Sequence, residues 1–165
     1  MVEWRGIEIH PETPPGGRPL TELFREEDIQ SMNGHLRAAG APFGITFIDR
    51  PFLSNSHSAL LAAEFSREQG KFDMFHPVIF SAYFSHGLDI GNLDILSQLG
   101  EDAGLDAKAL RNAVLKGTHL PRLDAAKEDA SRIGVTGVPT FLVNKKVTIV
   151  GAQPLDVFRK TLKTP

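Results

Sequence analysis

Gly134-Val-Thr-Gly-Val-Pro-Thr-Phe-Leu-Val143 decides the fold, together with Asn144-Lys145-Lys146, Val147-Thr-Ile-Val150 and Gly151-Ala-Gln-Pro154. Pro139–Val143 and Val147–Val150 are β-rich runs separated by a turn, so they read as a hairpin. Pro154 suits the first position of a closing helix over Leu155–Leu162. A proline at a strand entrance gives up one ladder hydrogen bond. From the residues alone two readings of Val138-Pro139 stay open. A trans proline blunts the strand end. A cis proline exposes the Val138 backbone, which could then pair with an extended peptide as a short strand.

Upstream of this segment the pattern is helical. Leu120–Ile133 alternates charge and ends at Gly134. Asn55 or Ser56 caps a helix to about Gln69, with Leu60, Leu61 and Phe65 as its stripe. Lys71–His86 carries Phe72, Phe75, Ile79, Phe80, Tyr83 and Phe84 on a broad apolar face; Pro77 predicts a kink or a fresh start there. Asn92–Leu99 and Asp106–Lys116 are two short helices. Nearer the start, Thr21 caps a helix over Glu22–Ala39, and Pro11–Pro19, with four prolines and two glycines, is a loop. Phe43–Asp49 is irregular or briefly extended. Val2–Ile9 alternates loosely, and its β-branched and aromatic content predicts a strand. The order strand, helical block, helix, strand, strand, helix predicts an α/β fold with an all-α insertion.

Composition narrows the function. The 165 residues carry 18 Lys+Arg against 20 Asp+Glu, a net charge of −2, which lacks the basic footprint of a nucleic-acid binder. No apolar run is long enough to span a bilayer and no signal pattern opens the chain, so a cytoplasmic, non-membrane protein is expected. The cysteine count is zero, so within these residues there is no disulfide, thiolate metal site or cysteine nucleophile. The histidines His10, His35, His57, His76, His86 and His119 show no metal-ligand spacing, and His57 beside Asn55-Ser56 is the best exception. Ser54, Ser56 and Ser58 lack a nucleophile elbow. Gly134-Val-Thr-Gly137 precedes a strand, not a helix, so it is no phosphate loop. The expected lists of catalytic residues, metal ligands and cofactors are therefore empty. Lys145-Lys146 reads as a solvated turn. Phe72–Phe84 reads as the core of the helical block.

Gly137-Val138-Pro139-Thr140-Phe141 before a hairpin and last helix resembles the cis-proline loop of thioredoxin-fold proteins. The fuller string resembles the DsbA-like thioredoxin domain family, in particular its FrnE-like cytoplasmic branch. Val2-Glu-Trp-Arg-Gly-Ile-Glu-Ile-His-Pro-Glu-Thr-Pro-Pro-Gly16 resembles that branch's second strand and following loop. Asn55-Ser56-His57 with Ala59-Leu60-Leu61, then Ala82-Tyr83-Phe84 and Asp89-Ile90-Gly91, resemble the start and interior of its helical insertion. The resemblance implies one domain over residues 1–165, with 20–118 as loop and helical insertion and 119–165 as helix, cis-proline loop, hairpin and last helix. It implies a thiol–disulfide oxidoreductase acting on peptide or protein thiols, with Gly137, Val138, Pro139 and Thr140 contacting substrate. It also implies that the Phe72–Phe84 face walls an active-site cleft.

The departure from the family pattern is as informative. The family's domain opens with a strand and helix bearing Cys-X-X-Cys, and this sequence opens on what resembles the second strand. The expectation is a thioredoxin-like fold that is N-terminally truncated, its first strand and first helix absent. Disulfide exchange needs a thiolate, so the chain as written is expected to be inert, its catalytic cysteine or selenocysteine segment lying outside it. A late start codon or a selenocysteine codon read as a stop would account for that. The alternatives are a redox-dead module that holds peptides or a partner at the Val138–Pro139 edge, and a relative of glutathione-dependent 2-hydroxychromene-2-carboxylate isomerases or kappa-class transferases. An unfilled sheet centre would leave strand edges open, which predicts pairing with a second copy as a homodimer.

Overall fold

The computed structural model describes residues 2–163; Met1, Thr164 and Pro165, at the ends of the expected 1–165 domain, lie outside the described residues. The chain divides into two compact units, Met1–Asp124 and Ala125–Pro165.

The first unit runs β1 (Arg18–Pro19), α1 (Glu26–Gly40), β2 (Phe52–Leu53), α2 (His57–Glu68), α3 (Phe72–Phe84), α4 (Leu93–Asp102), α5 (Ala107–Leu115) and the start of α6 (Leu120–Arg132). Apolar residues of four helices meet in one cluster: Leu61 and Phe65 of α2 and Phe75 and Ile79 of α3, from the stripes read in the sequence, with Leu96 of α4 and Leu110 and Val114 of α5. Phe75, Leu96 and Leu110 are fully buried, and each such side chain contributes about 1.5–3 kcal/mol relative to exposure. Asn92 Oδ1 caps α4 by accepting from the Asp94 and Ile95 amides at 2.8 and 3.3 Å. Asp106 Oδ1 caps α5 by accepting from the Ala109 amide at 2.9 Å.

Four expectations need correction. Val2–Ile9 is not a strand: residues 2–9 adopt no regular secondary structure and pair with no strand among the described residues. β-propensity measures the fit to a pleated ladder, and no neighbouring strand supplies one. The segment is held by side chains instead. Arg67 Nη2 donates to the Trp4 carbonyl at 2.8 Å. The Trp4 ring lies 4.9 Å from the His76 ring, and Glu8 Oε2 is 3.3 Å from His57 Nδ1.

Second, α1 begins at Glu26 rather than Glu22, because Leu20–Glu22 closes a 3-10 turn whose Leu20 carbonyl accepts from the Leu23 and Phe24 amides. Third, α3 does not begin afresh at Pro77 but continues through it as one helix. Proline removes the bond to the carbonyl four residues back. Here that is Asp73, in the exposed first turn, where the carbonyl is open to solvent and the loss costs little. Fourth, the Pro11–Pro19 loop ends in a short antiparallel ladder, Arg18 opposite Leu53 and Pro19 opposite Phe52. Gly17 makes this approach possible: at φ +70°, an added Cβ would stand 2.6 Å from the Leu53 carbonyl oxygen.

The second unit holds the rest of α6, then β3 (Thr140–Val143), β4 (Val147–Val150) and α7 (Leu155–Leu162). Thr140 pairs with Val150, Phe141 with Ile149, Leu142 with Thr148 and Val143 with Val147. Asn144 and Lys145 turn the hairpin at φ +52° and +59°. Phe141 meets Phe158 of α7 edge-on at 4.8 Å, and Ile149 is buried.

Candidate functional site

The residues singled out by the sequence, Gly137, Val138, Pro139 and Thr140, form one loop between α6 and β3. Gly134 ends α6 at φ +69°, and the Val135 amide donates back to the Ala130 carbonyl at 2.9 Å. Thr140 Oγ1 donates to the Gly137 carbonyl at 2.5 Å, closing the loop on itself. The Gly151 amide donates to the Pro139 carbonyl at 2.7 Å and ties the loop to the end of β4. The Val138–Pro139 peptide is cis. Val138 is 49% exposed, and its amide and carbonyl take no backbone partner among the described residues. The loop thus offers an unpaired backbone donor and acceptor next to a hairpin. The one side-chain hydroxyl among these four residues, that of Thr140, is committed to the Gly137 carbonyl.

The other sequence candidates lie in the first unit. His57 meets Glu8, as above. Among the described residues no group of three His, Cys, Asp or Glu side chains is arranged to hold a metal ion. His76 lies in an aromatic file along α3, 4.9 Å from Phe72 and 4.6 Å from Phe80, with Trp4 against it. Burial pushes its pKa below the usual imidazole value, and the nearby Arg67 guanidinium adds to that. Arg67 stacks on Phe72 at 3.9 Å, and Arg50 stacks on Tyr83 at 3.6 Å, so a cation closes each end of the file.

One polar cluster escaped the sequence reading. Glu64, buried on α2, lies 3.3 Å from Arg67 and 3.7 Å from Arg122. Glu68 lies 3.7 Å from Arg122 and 3.0 Å from the buried His119. The i, i+3 spacing of Glu64 and Arg67 signals one of these pairs. Nothing local signals His119, which is far from Glu68 in sequence.

Comparison with known proteins agrees with this fold. The chain is 29% identical over 165 residues to YwbO, an uncharacterised protein of Bacillus subtilis, covering 98% of this chain and 80% of that one. Its structure resembles that of a probable DsbA oxidoreductase from Streptomyces coelicolor, with a TM-score of 0.85 and 24% identity, over 96% of this chain and 72% of the other. It also resembles a candidate protein disulfide isomerase from Nitrosomonas europaea, with a TM-score of 0.70 and 19% identity, over 90% and 78% of the two chains. These likenesses establish a mixed α/β, mostly helical thioredoxin-like fold of the DsbA type. The model of the DSBA-like thioredoxin domain matches residues 1–163, and the chain belongs to that family.

Proposed function

We propose that the chain is the peptide-recognition part of a DsbA-type thiol–disulfide oxidoreductase. Gly137, Val138, Pro139 and Thr140 contact an extended peptide or protein thiol substrate, and the attacking thiolate comes from outside these 165 cysteine-free residues. The chain by itself is redox-inert. The observation that carries this reading is the half-exposed Val138, whose backbone donor and acceptor are unpaired among the described residues. Those two groups match what an added strand requires. Residues 1–165 act as one domain of the FrnE-like branch, with 20–118 as loop and insertion and 119–165 as the substrate-holding part, working in the cytoplasm. Among the described residues, no helix is long and apolar enough to cross a membrane.

A second reading, homodimerisation, is favoured by the hairpin itself. Among the described residues β3 and β4 pair only with each other, and two-stranded sheets gain from a third strand.

The test titrates ¹⁵N-labelled chain with carboxymethylated, unfolded lactalbumin, an extended and thiol-free polypeptide. Slowed hydrogen exchange at the Val138 amide and shifts at Thr140 are expected on binding. Binding that leaves both unchanged, or no binding, overturns the assignment.

A further inference from the structure

A groove of about 360 Å³ opens between α2, α4, α5 and the start of α6, wholly within Met1–Asp124. Its size falls in the ~300–1,000 Å³ range of small-molecule sites. Leu61 and Val114 line it as buried apolar floor, and Leu115 stands at its edge 68% exposed. An exposed leucine on the lip of an apolar groove lowers its free energy when something covers it.

The polar lining is one-sided. His57, Ser58 and Lys116 face the groove, and none of its lining residues is acidic. Lys116 has no ion-pair partner among the described residues. Glu8 Oε2 sits behind His57, 3.3 Å from Nδ1, so the ring N–H is committed to that carboxylate and the free donors of the lining are Ser58 and Lys116. The Ser58 and Ala59 amides, in the first turn of α2, also find no acceptor among the described residues. Uncommitted donors and a cation above a hydrocarbon floor are complementary to a ligand with an anionic head and an apolar tail.

We propose that this groove binds small aliphatic carboxylates, with the carboxylate on Lys116 and Ser58 and the hydrocarbon along Leu61, Val114 and Leu115. The site is separate from the Val138 loop, and the proposal stands independently of the redox reading.

The experiment titrates the full ¹⁵N-labelled chain with octanoate. Saturable shifts at Ser58, Leu115 and Lys116 are expected, with an affinity on the order of 1 mM. Lys116→Gln, at an exposed position, should weaken binding about tenfold, as expected for loss of a charge-assisted contact. Leu115→Ser should weaken it several-fold through the tail. 1-Octanol, with the same tail and no charge, should bind at least about tenfold more weakly. Retained spectral dispersion shows that each variant is folded. Absence of saturable shifts in the groove, octanol binding as tight as octanoate, or unchanged affinity in Lys116→Gln would each overturn the proposal.

Discussion

His119 Nε2 lies 3.0 Å from Glu68 Oε2, and the imidazole is 3% exposed while the carboxylate is half in water. The pair joins the residue before α6 to the last residue of α2. The two halves of the contact are therefore unequal. Removing the histidine empties a core position against the Phe65 ring, 6.1 Å away, whereas the orphaned Glu68 is rehydrated. His119→Ala should cost roughly 2–4 kcal/mol, and Glu68→Gln only about 0.5–1.5 kcal/mol, since it keeps a hydrogen bond. Urea unfolding at neutral pH measures both. Equal losses would show that the pair acts through charge and not through burial.

His76 supplies a pH dependence whose sign follows from its surroundings. Burial, reinforced by Arg67, lowers its folded-state pKa, so the unfolded chain binds the proton more readily. Stability from this group is complete above the unfolded imidazole value, near pH 6.5. It falls as pH drops through that value toward the lowered folded one. The chain's one tryptophan reports it, because Trp4 lies against the His76 ring. Trp4 fluorescence should titrate with a midpoint below that of a free imidazole. His76→Phe should abolish the titration and flatten the fall of the urea midpoint between pH 7 and 5. A midpoint at or above the ordinary value would contradict the assigned burial.

Two glycines of α1 should respond oppositely to alanine. At Gly34 an added Cβ meets nothing within 4 Å, so Gly34→Ala should stabilise by about 0.5–1 kcal/mol through helix propensity. At Gly40 the Cβ would stand 2.7 Å from the Ile45 carbonyl oxygen and 2.6 Å from the Phe47 ring. Gly40→Ala should therefore destabilise by about 1–3 kcal/mol. Thermal unfolding of the two variants side by side checks the sign of each.

Redox chemistry gives a qualitative prediction. With no cysteine in the sequence, the purified chain should neither reduce insulin nor oxidise dithiols above background. Turnover in rigorously thiol-free preparations would mean that the exchange mechanism does not apply.

Much of this structure is legible in the sequence. Helices α4 and α5 carry their caps in sequence, Asn92 and Asp106, and apolar residues recur at helical spacing, Leu93, Leu96 and Leu99 in one and Leu110 and Val114 in the other. The hairpin follows from two β-rich runs around Asn144-Lys145. What escaped was non-local. Residues 2–9 have the composition of a strand, yet a strand exists only where a neighbour completes its ladder. The start of α1 was decided by Leu20 capturing two amides, which a capping preference at Thr21 does not reveal. The loop at Val138 was legible as a locus through its proline and glycine. The Glu68–His119 contact was not, because nothing in either neighbourhood encodes a partner so distant in sequence.

The attachment of residues 2–9 bears on how this stretch can change over evolutionary time. A ladder enforces phase, and a one-residue slip turns every side chain to the wrong face. Here phase is kept by two anchors, Trp4 over His76 and Glu8 beside His57. Deleting a residue between them displaces one anchor by about 3.3 Å, while the other keeps its place. The spacing from Trp4 to Glu8 is therefore fixed, and so is the small residue between them, since a Cβ at Gly6 would stand 2.6 Å from Leu60, whereas the register of side chains that a sheet strand enforces along its whole length is not required here.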